Sequence, residues 1–251
     1  MTAASLRALH VPGRPLVLPN VWDAASARTV EKAGFTAVAT SSAAIAAALG
    51  SRDGEALPVV EMLDTIARIA DAVSVPVTAD IERGYGLAPA ELVERLAATG
   101  AVGCNLEDSD PGTRTMVDPS AQAEFLAAVR AAAVHSGLDL VINARVDTFA
   151  RPDPSVEDAL IRARLYREAG ADCVFPILAA EPEHIRALVG GVDAPVNIMC
   201  RPGAPTPAEL ATLGVARISF GSGLRSALQA HHRQLLERIA AGDSPYHSGQ
   251  S

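Results

Sequence analysis

Pro76-Val-Thr-Ala-Asp-Ile-Glu82 is an apolar, β-branched run that ends among carboxylates. An amphipathic stretch at 89–99 follows, then Gly100, then a second apolar run, Ala101-Val-Gly-Cys-Asn-Leu-Glu107. The spacing predicts strand, helix, glycine stop and strand, the unit from which parallel sheets are built. Gly100 supplies the left-handed residue that ends a helix and turns the chain back into the sheet. The same Ala-Gly or Thr-Gly stop recurs at Gly34 and Gly170.

Working outward, similar runs lie at 15–19, 35–40, 138–145, 171–177, 194–199 and 215–220, with helical patterns at 121–135, 156–169 and 183–189. Eight strands alternating with helices over 251 residues predict one domain, residues 1–251, folded as an α/β (β/α)8 TIM barrel. A last helix is expected at 222–241 and a polar tail at 242–251. An open doubly wound sheet is the alternative, but it often carries a glycine-rich first turn, and Asn20-Val-Trp-Asp23 contains no glycine. Two long linkers, 41–58 and 108–119, interrupt the spacing and are expected to lie over a site.

Hydrophobic residues make up 49% of the chain, enough for a large core. The 21 basic and 29 acidic residues give a net charge of -8, which argues against a nucleic-acid or anionic-membrane face. Lys32, the one lysine, precedes a helix stop and is expected in solvent, so Schiff-base chemistry is disfavoured. Three widely spaced cysteines, Cys104, Cys173 and Cys200, fit a reducing compartment, and the expected location is cytoplasmic. No signal peptide or membrane span is read, and no G-x-S-x-G elbow supports a serine triad.

Catalytic groups of a barrel sit where strands end. The two-residue strand period places Asp80 with Glu82, Asn105 with Glu107, and Asn143 with Arg145 and Asp147 on common faces. Carboxylates crowded there repel unless paired, protonated or bound to a cation, and oxygen ligands select a hard metal such as Mg2+. The alternative is pairing with arginines such as Arg83 or Arg145. Arg145 suits bidentate capture of a carboxylate or phosphonate, with an ion pair to Glu107 or Asp147 as the competing role. Ser41-Ser42-Ala43 offers hydroxyls and amides for an anion or for helix capping, and Asn197 is added as a substrate-binding candidate. Gly221-Ser-Gly223 resembles a weak form of the barrel phosphate site.

Asp80-Ile-Glu-Arg-Gly-Tyr-Gly86, Asn105-Leu-Glu-Asp108 and Asn143-Ala-Arg-Val-Asp147 together resemble the isocitrate lyase/phosphoenolpyruvate mutase superfamily. The resemblance runs from Leu18 to Gly221. It implies a (β/α)8 barrel whose last helix is exchanged between subunits of a homo-oligomer, dimer or tetramer. It also implies Mg2+, with Mn2+ as a substitute, and a small 2-oxo or 2-hydroxy carboxylate or phosphonate reacting through an enolate. In those terms Asp80 is the direct metal ligand, while Glu82 and Glu107 hold the metal's waters. Asp53 is the carboxylate of the loop after the second strand, Arg145 the substrate-binding arginine, and Ser41, Ser42 and Ala43 the segment holding the substrate's carboxylate. Asp53, Glu107 and Arg145 are the expected catalytic residues. The loop after Glu107 departs from the family pattern. It reads Asp108-Ser-Asp-Pro-Gly-Thr-Arg-Thr-Met-Val-Asp118, with neither lysine nor cysteine. Its acid is expected to be water ordered by Arg114, Asp108, or absent. Three functions follow: a Mg2+-dependent carbon–carbon lyase, with decarboxylation its simplest form; a phosphonomutase or phosphonopyruvate hydrolase; and a non-catalytic carboxylate binder.

Overall fold

Every strand of the computed structural model pairs in parallel with its neighbours. The structure describes residues 2–246. The first half runs α1 (Ala3–Ala8), β1 (Leu16–Leu18), β2 (Asn20–Val21), α2 (Ala24–Lys32), β3 (Val38–Thr40), α3 (Ser42–Ala48), α4 (Val59–Asp71), β4 (Val77–Asp80), α5 (Pro89–Ala98) and β5 (Gly103–Glu107). The second half runs α6 (Pro119–His135), β6 (Val141–Val146), α7 (Val156–Glu168), β7 (Cys173–Pro176), α8 (Pro182–Gly191), β8 (Asn197–Met199), α9 (Pro207–Thr212), β9 (Arg217–Ser219) and α10 (Gly223–Ala240). A short 3-10 turn, Thr148–Ala150, follows β6.

One sheet has the order β2-β3-β4-β5-β6-β7 and the other β1-β9-β8. Chain continuity through Pro19 joins β1 to β2, and a parallel bridge between Val174 and Val196 joins β7 to the approach of β8. The strands therefore close into the expected barrel. The expected first strand ends at Leu18, and a further short strand, β2, follows Pro19, which has no N–H for the ladder. Asn20 holds that seam: its Oδ1 accepts the Phe220 and Gly221 N–H groups, and its Nδ2 donates to the Thr40 carbonyl. Those bonds use the Gly221 amide, so the expected glycine cradle at 221–223 is a closure point of the barrel.

The helices bury apolar faces as their periodicity dictates. Helix α4, for example, turns Met62, Ile66 and Ile69 inward, and α5 turns Leu92, Val93 and Leu96. The predicted stops at Gly34, Gly100 and Gly170 are all left-handed, with φ of 90°, 81° and 100°. Helix α1 lies outside the sequence expectations and plugs the N-terminal end of the barrel. Its Leu6 packs in a buried cluster with Leu16, Leu18, Ala37, Ala39 and Val141. Gly103 permits this, because a Cβ there would stand 2.9 Å from the Val141 carbonyl and 3.1 Å from Leu6. Arg7 ties the plug to Asp139 and Asp172.

The 41–58 linker contains α3, with Ser41 as its N-cap, one of the two roles its hydroxyl offers. Lys32 is exposed, as its place before a helix stop predicts, and Cys104 and Cys173 are fully buried. Helix α10 buries none of its residues in this chain and exposes Leu224, Leu228, Leu236 and Ile239. Part of the expected polar tail, residues 247–251, lies outside the described residues. Among the described residues no helix is long and apolar enough to cross a membrane.

Candidate active site

The C-terminal ends of β3 to β6 bring the predicted carboxylates and Arg145 to one mouth. The register pairs Asp80 with Asn105, Asn105 with Asn143, and Glu107 with Arg145. Asp80 is held on both oxygens. Its Oδ2 accepts the Ser42 N–H at 3.0 Å and the Ser42 hydroxyl at 2.9 Å, and its Oδ1 accepts Asn105 Nδ2 at 3.2 Å. Asn105 cannot turn its amide round, because its Oδ1 already accepts Asn143 Nδ2 at 2.8 Å and Arg217 Nη2 at 3.2 Å.

Ser41 caps α3 by accepting the Ala44 N–H, so its hydroxyl takes the capping role. The Ser42 hydroxyl also reaches Asp53 at 3.3 Å, which brings the exposed loop carboxylate to the edge of the cluster. Ala43 follows in the first turn of α3. Asn197 is not brought to this group. It is the first residue of β8, paired in register with Arg217, and lies fully buried within the barrel, accepting the Ser219 hydroxyl. It stands two residues before the end of its strand at Met199, short of the mouth.

Arg145 takes both ion pairs that the sequence allowed. Its Nε and Nη2 donate to the two oxygens of Asp147 at 2.6 and 3.2 Å, and its Nη1 pairs with Glu107. A guanidinium has five N–H groups, so three are engaged and two remain for a ligand. Glu107 is buried, and burial raises its carboxyl well above its usual range; Arg145 opposes this, while Asp147 and Asp80 add to it. Glu82 is only 3% exposed and sits at a left-handed φ of 51°. Burial, then the charges of Asp53 and Asp80, push its carboxyl up to about 7.

Two residues that the sequence did not single out hold Glu82. The Glu55 N–H donates to its Oε2 at 2.6 Å and the Tyr85 hydroxyl to its Oε1 at 2.9 Å. The Glu55 carboxylate in turn accepts the Arg83 and Tyr85 amides. Glu55 and Tyr85 have φ of 55° and 56°, a backbone state that no hydrophobic pattern encodes. The 108–118 loop is similarly organised by residues outside the motif. Asp108, expected as a candidate acid, is fully buried and accepts the Asp147 N–H, the Tyr166 hydroxyl and Arg162 Nη1. It therefore anchors the base of the loop. Arg114 is exposed at the loop tip.

Asp80, Glu82 and Glu107 are the groups available to a metal. Among the described residues no three carboxylate, histidine or cysteine side chains stand close enough to ligate one ion directly. An all-oxygen donor set of this kind suits a hydrated hard cation held largely through its waters. Burial first, and then the neighbouring carboxylates, raise the carboxyls of Glu82 and Glu107.

This geometry has a counterpart among known proteins. A model of the phosphoenolpyruvate phosphomutase family matches residues 6–240. The chain belongs to that family. The superfamily resemblance of the DIERGYG, NLED and NARVD motifs is thereby borne out. The family chain is 44% identical to a solved structure from Burkholderia cenocepacia J2315, described provisionally as a phosphonomutase. The TM-score is 0.86, with 96% of this chain and 98% of that one covered. It is 35% identical over 219 residues to an uncharacterised protein of Mycobacterium tuberculosis H37Rv, spanning 87% of this chain and 82% of that one. It is 30% identical over 234 residues to oxaloacetate decarboxylase of Bradyrhizobium sp. ORS 278, spanning 90% of this chain and 78% of that one.

Proposed function

We propose that the protein is a carbon–carbon lyase, dependent on Mg2+ with Mn2+ as a substitute, acting on a small 2-oxo or 2-hydroxy carboxylate through a pyruvate-like enolate. Decarboxylation is its simplest form. The observation that carries this reading is Arg145, braced by Asp147 and Glu107 with two N–H groups unused beside Asp80. Those donors suit the carboxylate that stays with the product. A bound divalent cation would supply positive charge to the substrate oxygens on which charge develops.

The lid loop carries no lysine or cysteine, and Asp108 is locked beneath it. Loss of CO2 suits such a site. The bond breaks, its electron pair stays on the pyruvate-like fragment, and no protein acid is needed for the departing group. The loop keeps water out while that charge exists, and the proton arrives from solvent when the site opens. The resemblance to an oxaloacetate decarboxylase supports the reading.

The second reading is chemistry at a P–C bond, by a phosphonomutase or phosphonopyruvate hydrolase. It is favoured by Asp53, which the Ser42 hydroxyl holds beside Asp80, and by the resemblance to the Burkholderia protein. One NMR panel separates the readings: oxaloacetate, isocitrate, methylisocitrate, citramalate-like acids and phosphonopyruvate, each with Mg2+ and with EDTA. The lyase predicts Mg2+-dependent release of a 2-oxo acid that Asp80→Ala abolishes. Phosphoenolpyruvate (mutase) or orthophosphate with pyruvate (hydrolase) from phosphonopyruvate would replace it with the second reading, and oxalate binding without turnover would leave only a carboxylate binder.

The functional unit in this proposal is a homo-oligomer, dimer or tetramer, that exchanges α10. The apolar residues α10 exposes support it, as does a cleft of about 520 Å3 lined by Trp22, Val30, Leu224 and Leu228. A cytoplasmic location is proposed on the three free cysteines.

A further inference from the structure

Arg151 lies beyond the 3-10 turn after β6, outside every motif of the mouth, yet its guanidinium reaches back into the 108–118 loop. Its Nη1 donates to the Arg114 carbonyl at 2.6 Å and its Nη2 to the Ser109 hydroxyl oxygen. The Ser109 hydroxyl spends its own proton on Asp147 Oδ2. Asp147 is the carboxylate that braces Arg145, and it is only 2% exposed. One unbroken chain of hydrogen bonds therefore runs from the loop tip through Arg151, Ser109 and Asp147 to Arg145.

The directions along this chain are fixed by chemistry. A carbonyl and a carboxylate only accept, and a guanidinium only donates, so Ser109 must accept from Arg151 and donate to Asp147. The loop contributes no lysine of its own, and its one cation, Arg114, points to solvent. The cation that holds the loop is supplied by the next βα-loop instead. Without Ser109, the buried Asp147 would keep Arg145 as its one side-chain partner and lose the contact that sets its rotamer.

We propose that Arg151 and Ser109 are positioning residues: Arg151 latches the loop over the mouth, and Ser109 transmits the latched state through Asp147 to Arg145. The outer N–H groups of Arg145 then point at the ligand carboxylate only when the loop is down. The second half of this inference rests on the reading of Arg145 as the carboxylate-binding group; the latch does not.

Trypsin tests the latch, because the carbonyl that Arg151 holds belongs to the scissile bond between Arg114 and Thr115. Arg151 itself precedes Pro152, so replacing it removes no ordinary trypsin site. Arg151→Met is expected to speed cleavage after Arg114 about ten-fold, and Arg151→Lys, which keeps a donor, to restore most of the protection. Ser109→Ala leaves the bond to the Arg114 carbonyl in place and is expected to be cleaved at the wild-type rate. Calorimetric titration with oxalate tests transmission. Both Arg151→Met and Ser109→Ala are expected to weaken oxalate about ten-fold, the worth of one hydrogen bond to a charged group. The double variant is expected to lose no more than either single one, since both cut the same chain.

Unchanged cleavage in Arg151→Met overturns the latch. Faster cleavage with unchanged oxalate affinity in both variants, or additive losses in the double variant, overturns the transmission. Wild-type protein that binds no oxalate overturns the carboxylate role of Arg145 and the transmission with it, while the cleavage rates still judge the latch.

Discussion

Replacing Glu82 by glutamine in metal-free protein removes a buried charge and keeps the shape of the side chain. In the folded protein its carboxyl titrates near 7 against an ordinary 4.5. Between those values the folded state keeps a proton that the unfolded chain has released. Stability therefore falls as pH rises from 4.5 to 7, and the loss is complete above 7. A gap of about 2.5 pH units at 1.36 kcal/mol each amounts to about 3 kcal/mol. Glutamine still accepts the Glu55 N–H through its oxygen, and its amide can donate to the Tyr85 oxygen, while the proton of the half-buried Tyr85 hydroxyl must turn to another acceptor. In EDTA at pH 8, Glu82→Gln is expected to be more stable than wild type by about 3 kcal/mol, or about 6–12 °C in Tm for a chain of this size. At pH 4.5 the two proteins should nearly coincide. Urea or thermal unfolding across this range measures the difference, in which the contribution of Glu107 largely cancels. A variant that is equal to or less stable than wild type at pH 8, or a difference independent of pH, would refute the assignment of the buried charge to Glu82.

Three further outcomes follow from the same contacts. Arg145→Lys keeps the charge but cannot bridge Glu107, Asp147 and a ligand at once, so oxalate affinity by calorimetry should fall at least about ten-fold; an unchanged affinity places the ligand elsewhere. Asn20→Ala leaves the Phe220 and Gly221 amides without their acceptor at the barrel seam and should cost about 2–4 kcal/mol in chemical denaturation, whereas a loss below about 0.5 kcal/mol would mean that the seam is held otherwise. Leu228→Asp places a charge on the apolar face of α10 and should lower the assembly size in light scattering without unfolding the barrel; an unchanged size would argue against exchange through this helix.

Much of the architecture is legible in the linear pattern. Strand and helix periods are local properties, and so are the glycine stops at Gly34, Gly100 and Gly170. The two-residue strand period also places Asp80, Glu107 and Arg145 on inward faces, and the register then sets Glu107 directly opposite Arg145. Helix α1 escaped because it spans six residues and buries two, too little for a period to show. The strand carrying Asn197 ends at Met199, as its pattern predicts, and Asn197 lies two residues short of that end with its side chain buried in the barrel.

The remainder belongs to tertiary structure for one physical reason. Loop backbones with positive φ at Glu55, Glu82 and Tyr85 are stabilised by contacts from distant segments, and no local periodicity announces them. Glu55 meets Glu82 across 27 residues, Tyr166 reaches Asp108 across 58, and Arg151 reaches Ser109 across 42. The sequence by itself determined the barrel and the inward faces that carry the carboxylates and Arg145, because both follow from spacing along one strand or helix. Only the folded chain decided how those groups are braced, since that depends on which loops meet above the barrel once its strands have closed.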